Sequence, residues 1–279
     1  MSETEIFPGY RTGAMLGGRI GKDGIARTQE VIEIATGKRW VRKRYDLTDP
    51  WEKDEFYHEK AAMAILRGST HVVTGAQVIQ TEDAARILFP YITSETLEAA
   101  IATSPRRELG ESDIVPILRD ALEGLAELHG YGIVHRDVKP ANILVELGGE
   151  RAWVIDLGTM YQREDLLRER GKNGYEFLGT PEYAAPEVCA CQRPLTPATD
   201  IYSLGITLYE MATGAVPFNS VSTMQVLKAQ VRDEMPPVFF LNPKIPRWIR
   251  DLVRRATQKD PRARFPDAEA MLRVMPRAA

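Results

Sequence analysis

The chain has 279 residues, and 44% of them are hydrophobic, which is enough to bury one or two cores. Its 36 basic and 39 acidic residues are interspersed and give a net charge of −3, which disfavours nucleic-acid binding. The sequence has no run of ~18 apolar residues and no secretory leader, so we expect a cytoplasmic protein without a membrane segment. Cys189 and Cys191 lack a second cysteine pair or clustered histidines, so a zinc site is not expected and reduced thiols are. For the same reason His58, His71 and His129 are expected to be structural.

The first third of the chain has the pattern of an antiparallel sheet. Short apolar runs alternate with turn signals at residues 20–31, 31–35, 39–45, 72–79 and 86–92. One helix interrupts these strands: Asp49 is its predicted N-cap, Pro50 takes the first helical position, and Glu52 completes a capping box. Glu59 lies on the apolar face of this helix with Phe56, so its carboxylate should point inward and needs a partner.

From Ser94 onward the pattern becomes helical. One helix ending at Gly130 is predicted to be buried along a stripe, because its apolar residues repeat at spacings of three, four and seven. These residues are Ile114, Ile117, Leu118, Ala121, Leu122, Leu125 and Leu128. Further helices are predicted at about 197–213, 220–232, 246–258 and 267–275. The sequence therefore predicts an α+β fold, with the boundary between a β-rich and an α-rich part at Tyr91 to Ser94.

The most informative stretch is residues 135–144, which read His-Arg-Asp-Val-Lys-Pro-Ala-Asn-Ile-Leu. An Asp-Leu-Gly motif follows at 156–158, and an Ala-Pro-Glu motif follows at 185–187. The order and approximate spacing are those of the protein-kinase signature set. The sequence resembles the protein kinases, and in particular bacterial-type serine/threonine kinases, because Lys139 stands two residues after the aspartate. The resemblance implies one two-lobed kinase domain over residues 1–279, with an N-terminal lobe at 1–92 and a C-terminal lobe at 93–279.

The resemblance also assigns the residues of a phosphoryl-transfer site that uses ATP and Mg²⁺. Asp137 would accept the proton of the substrate hydroxyl, and Lys139 would neutralise charge on the transferring phosphoryl group. Asn142 and Asp156 would hold the magnesium ions, because a carboxylate alone does not bind a nucleotide phosphate.

An ATP-binding region is implied in the N-terminal part. Lys43 stands where the family has its ATP-anchoring lysine and is the expected partner of Glu59. Phe89 takes the gatekeeper position, and Pro90 and Ile92 would offer a backbone carbonyl and a backbone N–H to adenine. Contacts with the adenine ring are expected from Thr28, Val41 and Leu144, whose ordinary alternative is core packing.

The phosphate-covering loop at residues 20–28 matches the family only in part. Gly21 and Gly24 are present, whereas Asp23 and Ala26 replace the second and third glycines. Glycine lets backbone N–H groups approach phosphate oxygens, and a carboxylate at the loop tip repels them. This departure favours weakened ATP binding.

Two further matches favour a protein substrate with a serine or threonine acceptor. Asp200 matches the buried family aspartate that holds the catalytic loop, and Glu187 is expected to pair with Arg264. Residues 179–183 resemble the peptide-docking segment, and Thr180 matches the serine/threonine branch.

Two alternative functions stay open. One is a pseudokinase or nucleotide-binding scaffold that acts through protein interactions, motivated by Asp23, Ala26 and the Leu157 variant of the metal-binding motif. The other is a kinase of small molecules.

Activation gives a separate hypothesis. Arg136 matches the arginine that pairs with a phosphorylated activation loop, and Glu176 could supply the negative charge without phosphorylation. The alternative is control by an outside partner or through Thr159, Tyr161 or Tyr175.

Overall fold

The computed structural model describes residues 9–16, 26–147, 151–162, 179–192 and 194–276. Contacts divide the chain into two units: unit 1 comprises residues 1–69 and 73–93, and unit 2 comprises residues 70–72 and 94–279. The predictions for Gly21, Asp23, Gly24, Tyr175 and Glu176 lie outside the described residues.

Unit 1 is built on a five-stranded antiparallel sheet with the strand order β1-β2-β3-β5-β4. Side chains of β3 alternate between the faces, so Val41, Lys43 and Tyr45 share one face while Trp40 and Arg42 lie on the other. The strands are β1 (Tyr10–Met15), β2 (Thr28–Glu33), β3 (Arg39–Asp46), β4 (Gln77–Gln80) and β5 (Ala84–Pro90). The predicted antiparallel sheet is confirmed.

Helix α1 (Pro50–Ile65) begins where the sequence predicts. The Asp49 side chain accepts hydrogen bonds from the Trp51 and Glu52 N–H groups at 2.9 and 3.2 Å, which satisfies two donors of the first turn. The predicted capping box was wrong in the role of Glu52. The Glu52 carboxylate accepts the Asp46 N–H at 2.7 Å, so it joins the helix to the end of β3.

The predicted strand at residues 72–79 was wrong in its first half. Only Gln77–Gln80 forms a strand of the unit 1 sheet, as β4. Val72 instead makes a parallel bridge with Val154, and the His71 carbonyl accepts the Val154 N–H at 2.8 Å. Residues 70–72 therefore belong to unit 2, although their neighbours on both sides belong to unit 1.

Unit 2 is mainly helical. Its central helix α3 (Glu111–Gly130) buries every member of the predicted stripe, and α5 (Pro197–Thr213) has the predicted bounds. The other helices are α2 (Leu97–Thr103), α4 (Pro186–Cys189), α6 (Thr223–Arg232), α7 (Val238–Leu241), α8 (Arg247–Ala256) and α9 (Ala268–Leu272). The α+β architecture is thus confirmed. In the part of the chain that the structure describes, no helix is long and apolar enough to cross a membrane.

Two small sheets of unit 2 bracket the segment at residues 135–142. One has the order β6-β8-β9 and the other pairs β7 with β10. The strands are β6 (Ser94–Thr96), β7 (Ile133–Val134), β8 (Ile143–Glu146), β9 (Ala152–Val154) and β10 (Tyr161–Gln162). The polar loop is therefore anchored at both ends by strands, which limits its movement.

Candidate active site

The aspartate of this loop, Asp137, is contacted on both of its carboxylate oxygens. Lys139 Nζ lies 2.7 Å from Asp137 Oδ2, and the Asn142 amide donates to the same oxygen at 2.9 Å. The Thr180 hydroxyl donates to Oδ1 at 2.8 Å, and Lys139 donates to that hydroxyl at 2.6 Å. Charge-assisted hydrogen bonds of this kind are stronger than neutral ones, so the orientation of the carboxylate is fixed.

A buried aspartate of α5, Asp200, holds the backbone of the same loop, as the sequence predicts. Its Oδ2 accepts the His135 N–H at 2.8 Å, and its Oδ1 accepts the Arg136 N–H at 2.9 Å. His129 Nε2 lies 3.0 Å from Asp200 Oδ2. These contacts offset the cost of burying the carboxylate and hold Arg136 at a φ of 73°, which an arginine seldom adopts.

The Asp-Leu-Gly segment adjoins the loop within unit 2. The Ile155 N–H donates to the Asn142 carbonyl at 3.0 Å, and His135 Nε2 lies 3.0 Å from the Ile155 carbonyl. Asp156 has a φ of 66°, a left-handed conformation that aspartate tolerates better than most residues. Because β8 and β9 pair directly, Asn142 at the start of one strand and Asp156 after the other are brought together.

In unit 1, Lys43 and Glu59 form the predicted ion pair, with Lys43 Nζ 2.9 Å from Glu59 Oε1. The Glu59 side chain is only 2% exposed, and the Lys43 ammonium offsets part of the cost of burying its charge. The strand register places Thr28 opposite Lys43 and Phe89 opposite Val41. Since Val41 and Lys43 are two residues apart on β3, these sheet residues share one face of the unit 1 sheet.

The remaining predicted nucleotide-contact residues are distributed over both units. Pro90 is the exposed last residue of β5, and Ile92 is half-buried in the segment that follows it. Leu144 lies on β8 in unit 2, where it pairs with Trp153. Gly21 and Gly24 lie outside the described residues.

Side chains of α5 and α6 hold the segment at residues 179–183 through hydrogen bonds. The Tyr183 hydroxyl donates to Glu210 Oε2 at 2.6 Å, and the Gln230 amide donates to the Pro181 and Glu182 carbonyls at 3.1 and 2.6 Å. Burial, and then the charge of Glu210, raise the pKa of Tyr183, so its hydroxyl keeps its proton as a hydrogen-bond donor. This segment therefore has a defined backbone conformation close to Thr180.

The predicted ion pair between Glu187 and Arg264 is confirmed. Arg264 Nη1 lies 2.8 Å from Glu187 Oε1, and Nη2 lies 2.8 Å from Oε2, in a two-pronged arrangement. The Thr199 hydroxyl donates to the same carboxylate at 2.9 Å, and Arg264 also donates to three backbone carbonyls. The pair joins α4 to the turn after α8, and thus supports the segment that follows Thr180.

Of the residues proposed as alternative control points, Thr159 and Tyr161 are among those that the structure describes. The Thr159 hydroxyl donates to the His135 carbonyl at 3.1 Å, and Tyr161 is buried. Thr159 is half-buried, whereas Tyr161 is not presented at the surface. Glu176 and Tyr175 lie outside the described residues, so the hypothesis for Glu176 stays a prediction.

Comparison with known proteins identifies the family to which this site belongs. Residues 15–274 match the protein kinase domain family, which is most of the chain. The chain belongs to the protein kinase family. Members of this family use ATP and a divalent metal ion, and act on protein substrates.

Similar proteins include bacterial serine/threonine kinases. The chain is 28% identical over 258 residues to a probable serine/threonine-protein kinase PknB of Lactococcus lactis, covering 91% of this chain and 40% of that protein. It is 31% identical over 236 residues to the serine/threonine-protein kinases drp72 of Corynebacterium efficiens, covering 83% and 44%. It is 27% identical over 256 residues to serine/threonine-protein kinase PrkC of Bacillus subtilis, covering 90% and 38%. The chain thus spans less than half the length of these curated relatives.

Sequence reasoning missed two contacts of the site. Thr180 was predicted only as a marker of the serine/threonine branch, yet its hydroxyl contacts both Asp137 and Lys139. His129 was predicted as one of three ordinary structural histidines, yet its ring contacts Asp200. The position of His129 at the end of the buried stripe of α3, just before the loop, was the one signal that pointed to this contact.

Proposed function

We propose that this chain is the catalytic domain of a cytoplasmic, Mg²⁺-dependent serine/threonine protein kinase. The observation that carries the proposal is the arrangement around Asp137, which is contacted by Lys139 and Asn142 on one oxygen and by the Thr180 hydroxyl on the other. An aliphatic hydroxyl is already accommodated 2.8 Å from Asp137 Oδ1, and a substrate serine or threonine would offer the same group.

In the proposed mechanism, Asp137 orients the acceptor hydroxyl and takes its proton. Lys139 lies 2.7 Å from the same carboxylate, which places a cation beside the oxygen that attacks the γ-phosphoryl group of ATP. Phosphoryl transfer through a loose transition state asks mainly for positioning and charge neutralisation, and both side chains supply them.

The oxygen atoms that Asn142 and Asp156 offer in unit 2 suit a hard divalent ion. The Asn142 amide nitrogen is engaged with the Asp137 carbonyl and carboxylate, at 2.8 and 2.9 Å, so its amide oxygen is the atom left to bind a metal. Asp156 adds carboxylate oxygens, and oxygen ligands are the preference of Mg²⁺. When bound, Mg²⁺ supplies neutralisation of the phosphate charges.

In unit 1, Lys43 would anchor the ATP phosphates while its pairing with the buried Glu59 keeps the ammonium in place. Thr28 lies opposite Lys43, and Phe89 lies opposite Val41, on the same face of the sheet, so Thr28, Val41 and Phe89 would contact the adenine. Leu144 is a further adenine contact that the family resemblance implies. Pro90 and Ile92 would hydrogen-bond the adenine through their backbone, and Gly21 and Gly24 would cover the phosphates. No finding favours the pseudokinase alternative.

The test is Mg²⁺-dependent transfer of radiolabelled phosphate from ATP to a peptide array and, in parallel, to a panel of metabolites. Wild-type protein should label serine or threonine peptides. Asp137→Asn and Asp156→Asn should each abolish transfer, but only Asp156→Asn should strongly weaken Mg-ATP binding. Lys43→Met should lose transfer and keep the fold.

Asp54→Asn, at an exposed position of α1, is the matched control and should retain wild-type activity. Near-wild-type turnover of Asp137→Asn would refute the assignment, and labelling of metabolites alone would replace the protein substrate by a small molecule.

A further inference from the structure

A cluster of potential metal ligands lies on the side of α3, apart from the site described above. His71 Nε2 is 3.0 Å from Glu123 Oε2 and 3.8 Å from Asp120 Oδ1. One ligand atom from each of His71, Asp120 and Glu123 lies within 4.8 Å of the other two. All three residues belong to unit 2.

The separations suit a small divalent ion. Tetrahedral zinc with bonds of ~2.0 Å places neighbouring ligand atoms about 3.3 Å apart, and distances of 3.0 and 3.8 Å lie on either side of that value. One imidazole nitrogen with two carboxylate oxygens is a set that zinc accepts, whereas Mg²⁺ prefers oxygen ligands alone. A water molecule would complete four-coordination.

The residues around the cluster have the arrangement that supports metal ligands in proteins. The other ring nitrogen of His71, Nδ1, lies 3.4 Å from Glu127 Oε1 and 3.1 Å from the Thr70 hydroxyl, and a carboxylate behind a metal-binding imidazole fixes its tautomer. The second oxygen of Asp120 accepts the Ala152 N–H at 2.8 Å and the Arg151 guanidinium at 3.2 Å. Asp120 Oδ1 is thereby turned toward His71.

The backbone that carries His71 is also fixed. Its carbonyl accepts the Val154 N–H at 2.8 Å, and Val72 bridges to Val154. Gly124 permits this approach, because a Cβ at that position would lie 2.8 Å from the His71 carbonyl oxygen. The imidazole is therefore presented to α3 by a segment that is already ordered, and a metal site benefits from such pre-organisation.

The net charge of the cluster and its exposure to solvent also favour binding of a divalent cation. Three carboxylates, those of Asp120, Glu123 and Glu127, face His71, and the Arg151 guanidinium contacts one of them, Asp120. With a neutral imidazole the cluster has a net charge of −2, which one divalent cation balances. The side chains of His71, Asp120 and Glu123 are 16%, 12% and 37% exposed, so an ion can enter from solvent.

We propose that His71, Asp120 and Glu123 bind one zinc-class divalent ion, which joins residues 70–72 to α3. The competing interpretation is a protonated His71 that neutralises the carboxylates without any metal.

The test is calorimetric titration of chelator-treated protein with Zn²⁺ in the presence of excess Mg²⁺, which occupies oxygen-ligand sites such as that expected at Asp156. Wild-type protein should bind one Zn²⁺, and the complex should unfold at a higher temperature than the metal-free protein. With Co²⁺ as probe, visible absorption of tetrahedral intensity should appear.

His71→Gln and Glu123→Gln should both lose the Zn²⁺ affinity and the Co²⁺ absorption. Glu127→Gln should weaken Zn²⁺ binding by only about 10- to 100-fold, as is typical for a residue behind a ligand. His58→Gln, which removes a histidine of α1, is the matched control and should bind as wild type does. If His71→Gln does not fold, the half-exposed Glu123 still provides the test. Absence of Zn²⁺ binding under excess Mg²⁺, or equal binding by Glu123→Gln, would overturn the proposal.

Discussion

The Thr180 hydroxyl offers a sharp test of the proposed catalytic arrangement, because it contacts two of the residues assigned to phosphoryl transfer. It donates to Asp137 Oδ1 at 2.8 Å and accepts from Lys139 at 2.6 Å. Thr180→Val keeps the shape of the side chain and removes both hydrogen bonds. The Asp137 and Lys139 side chains still contact each other at 2.7 Å, so the charge pair survives, but Asp137 Oδ1 loses the hydroxyl that helps to orient the carboxylate.

The expected effect follows from the worth of a hydrogen bond to a charged group, which is about 1.5–3 kcal/mol. Removing one such hydrogen bond from the transition state corresponds to a decrease of about 10- to 150-fold in kcat/KM for a peptide substrate. The KM for ATP should not change, because the Thr180 hydroxyl contacts Asp137 and Lys139, neither of which is assigned to ATP binding. Initial rates with the best peptide from the array, measured at varied peptide and varied ATP, separate these effects.

Two control variants separate the hydroxyl from the bulk of the side chain. Thr180→Ser retains the O–H group and should keep kcat/KM within about threefold of wild type, well inside the decrease expected for Thr180→Val. Thr103→Val, in which the exposed hydroxyl donates only within α2, should leave the rates unchanged. Wild-type kcat/KM in Thr180→Val, or an equal decrease in Thr180→Ser and Thr180→Val, would refute the reasoning.

Three further predictions concern unit 2. Arg264→Met leaves the Glu187 carboxylate buried and unpaired, so chemical denaturation should show a loss of about 3–5 kcal/mol, and the double variant with Glu187→Leu should lose less; an equal loss in both would contradict this. Burial lowers the pKa of Lys259 to about 8. Unfolded lysine has a pKa of ~10.4, so between the folded and the unfolded pKa the unfolded state binds more protons than the folded state. The free energy of unfolding of the wild type, relative to that of Lys259→Met, should therefore rise with pH across that window. A free-energy difference that is flat or falls with pH would contradict the lowered pKa. Gly124→Ala should destabilise the protein by about 1–3 kcal/mol, because its Cβ would meet the His71 carbonyl, and an unchanged melting temperature would contradict the predicted clash.

Elements whose ends are marked by strong local signals, such as proline or glycine, could be predicted closely from the sequence. Helix α5 has the predicted bounds because Pro197 is favoured at the first helical position and Gly214 adopts the left-handed φ of 72° that ends a helix. The strand predicted at 72–79 failed because an apolar run does not reveal its partner. Val72 pairs with Val154, far along the chain, and only the fold brings these two residues together.

The same distinction holds for the candidate sites. Asp137, Lys139 and Asn142 are close in sequence, so their spacing alone predicts that they meet. Thr180 joins them from a distant segment. The cluster at His71 is harder still, because Asp120 and Glu123 on α3 have the spacing of an ordinary solvated helix face, and nothing local indicates that a histidine from before β4 lies against them.

Burial separates the acidic residues that support the site from the one that is assigned to chemistry. The Asp200 side chain is 0% exposed and is contacted by two backbone N–H groups and an imidazole. Glu187 is likewise buried in a two-pronged pair with Arg264. Asp137 also has donors on both oxygens, but its side chain is 13% exposed, and one of those donors is a hydroxyl that a substrate hydroxyl could replace. A carboxylate with only buried, permanent partners can fix a backbone but cannot exchange a proton with a substrate, so among these residues Asp137 is the one that we propose for that role.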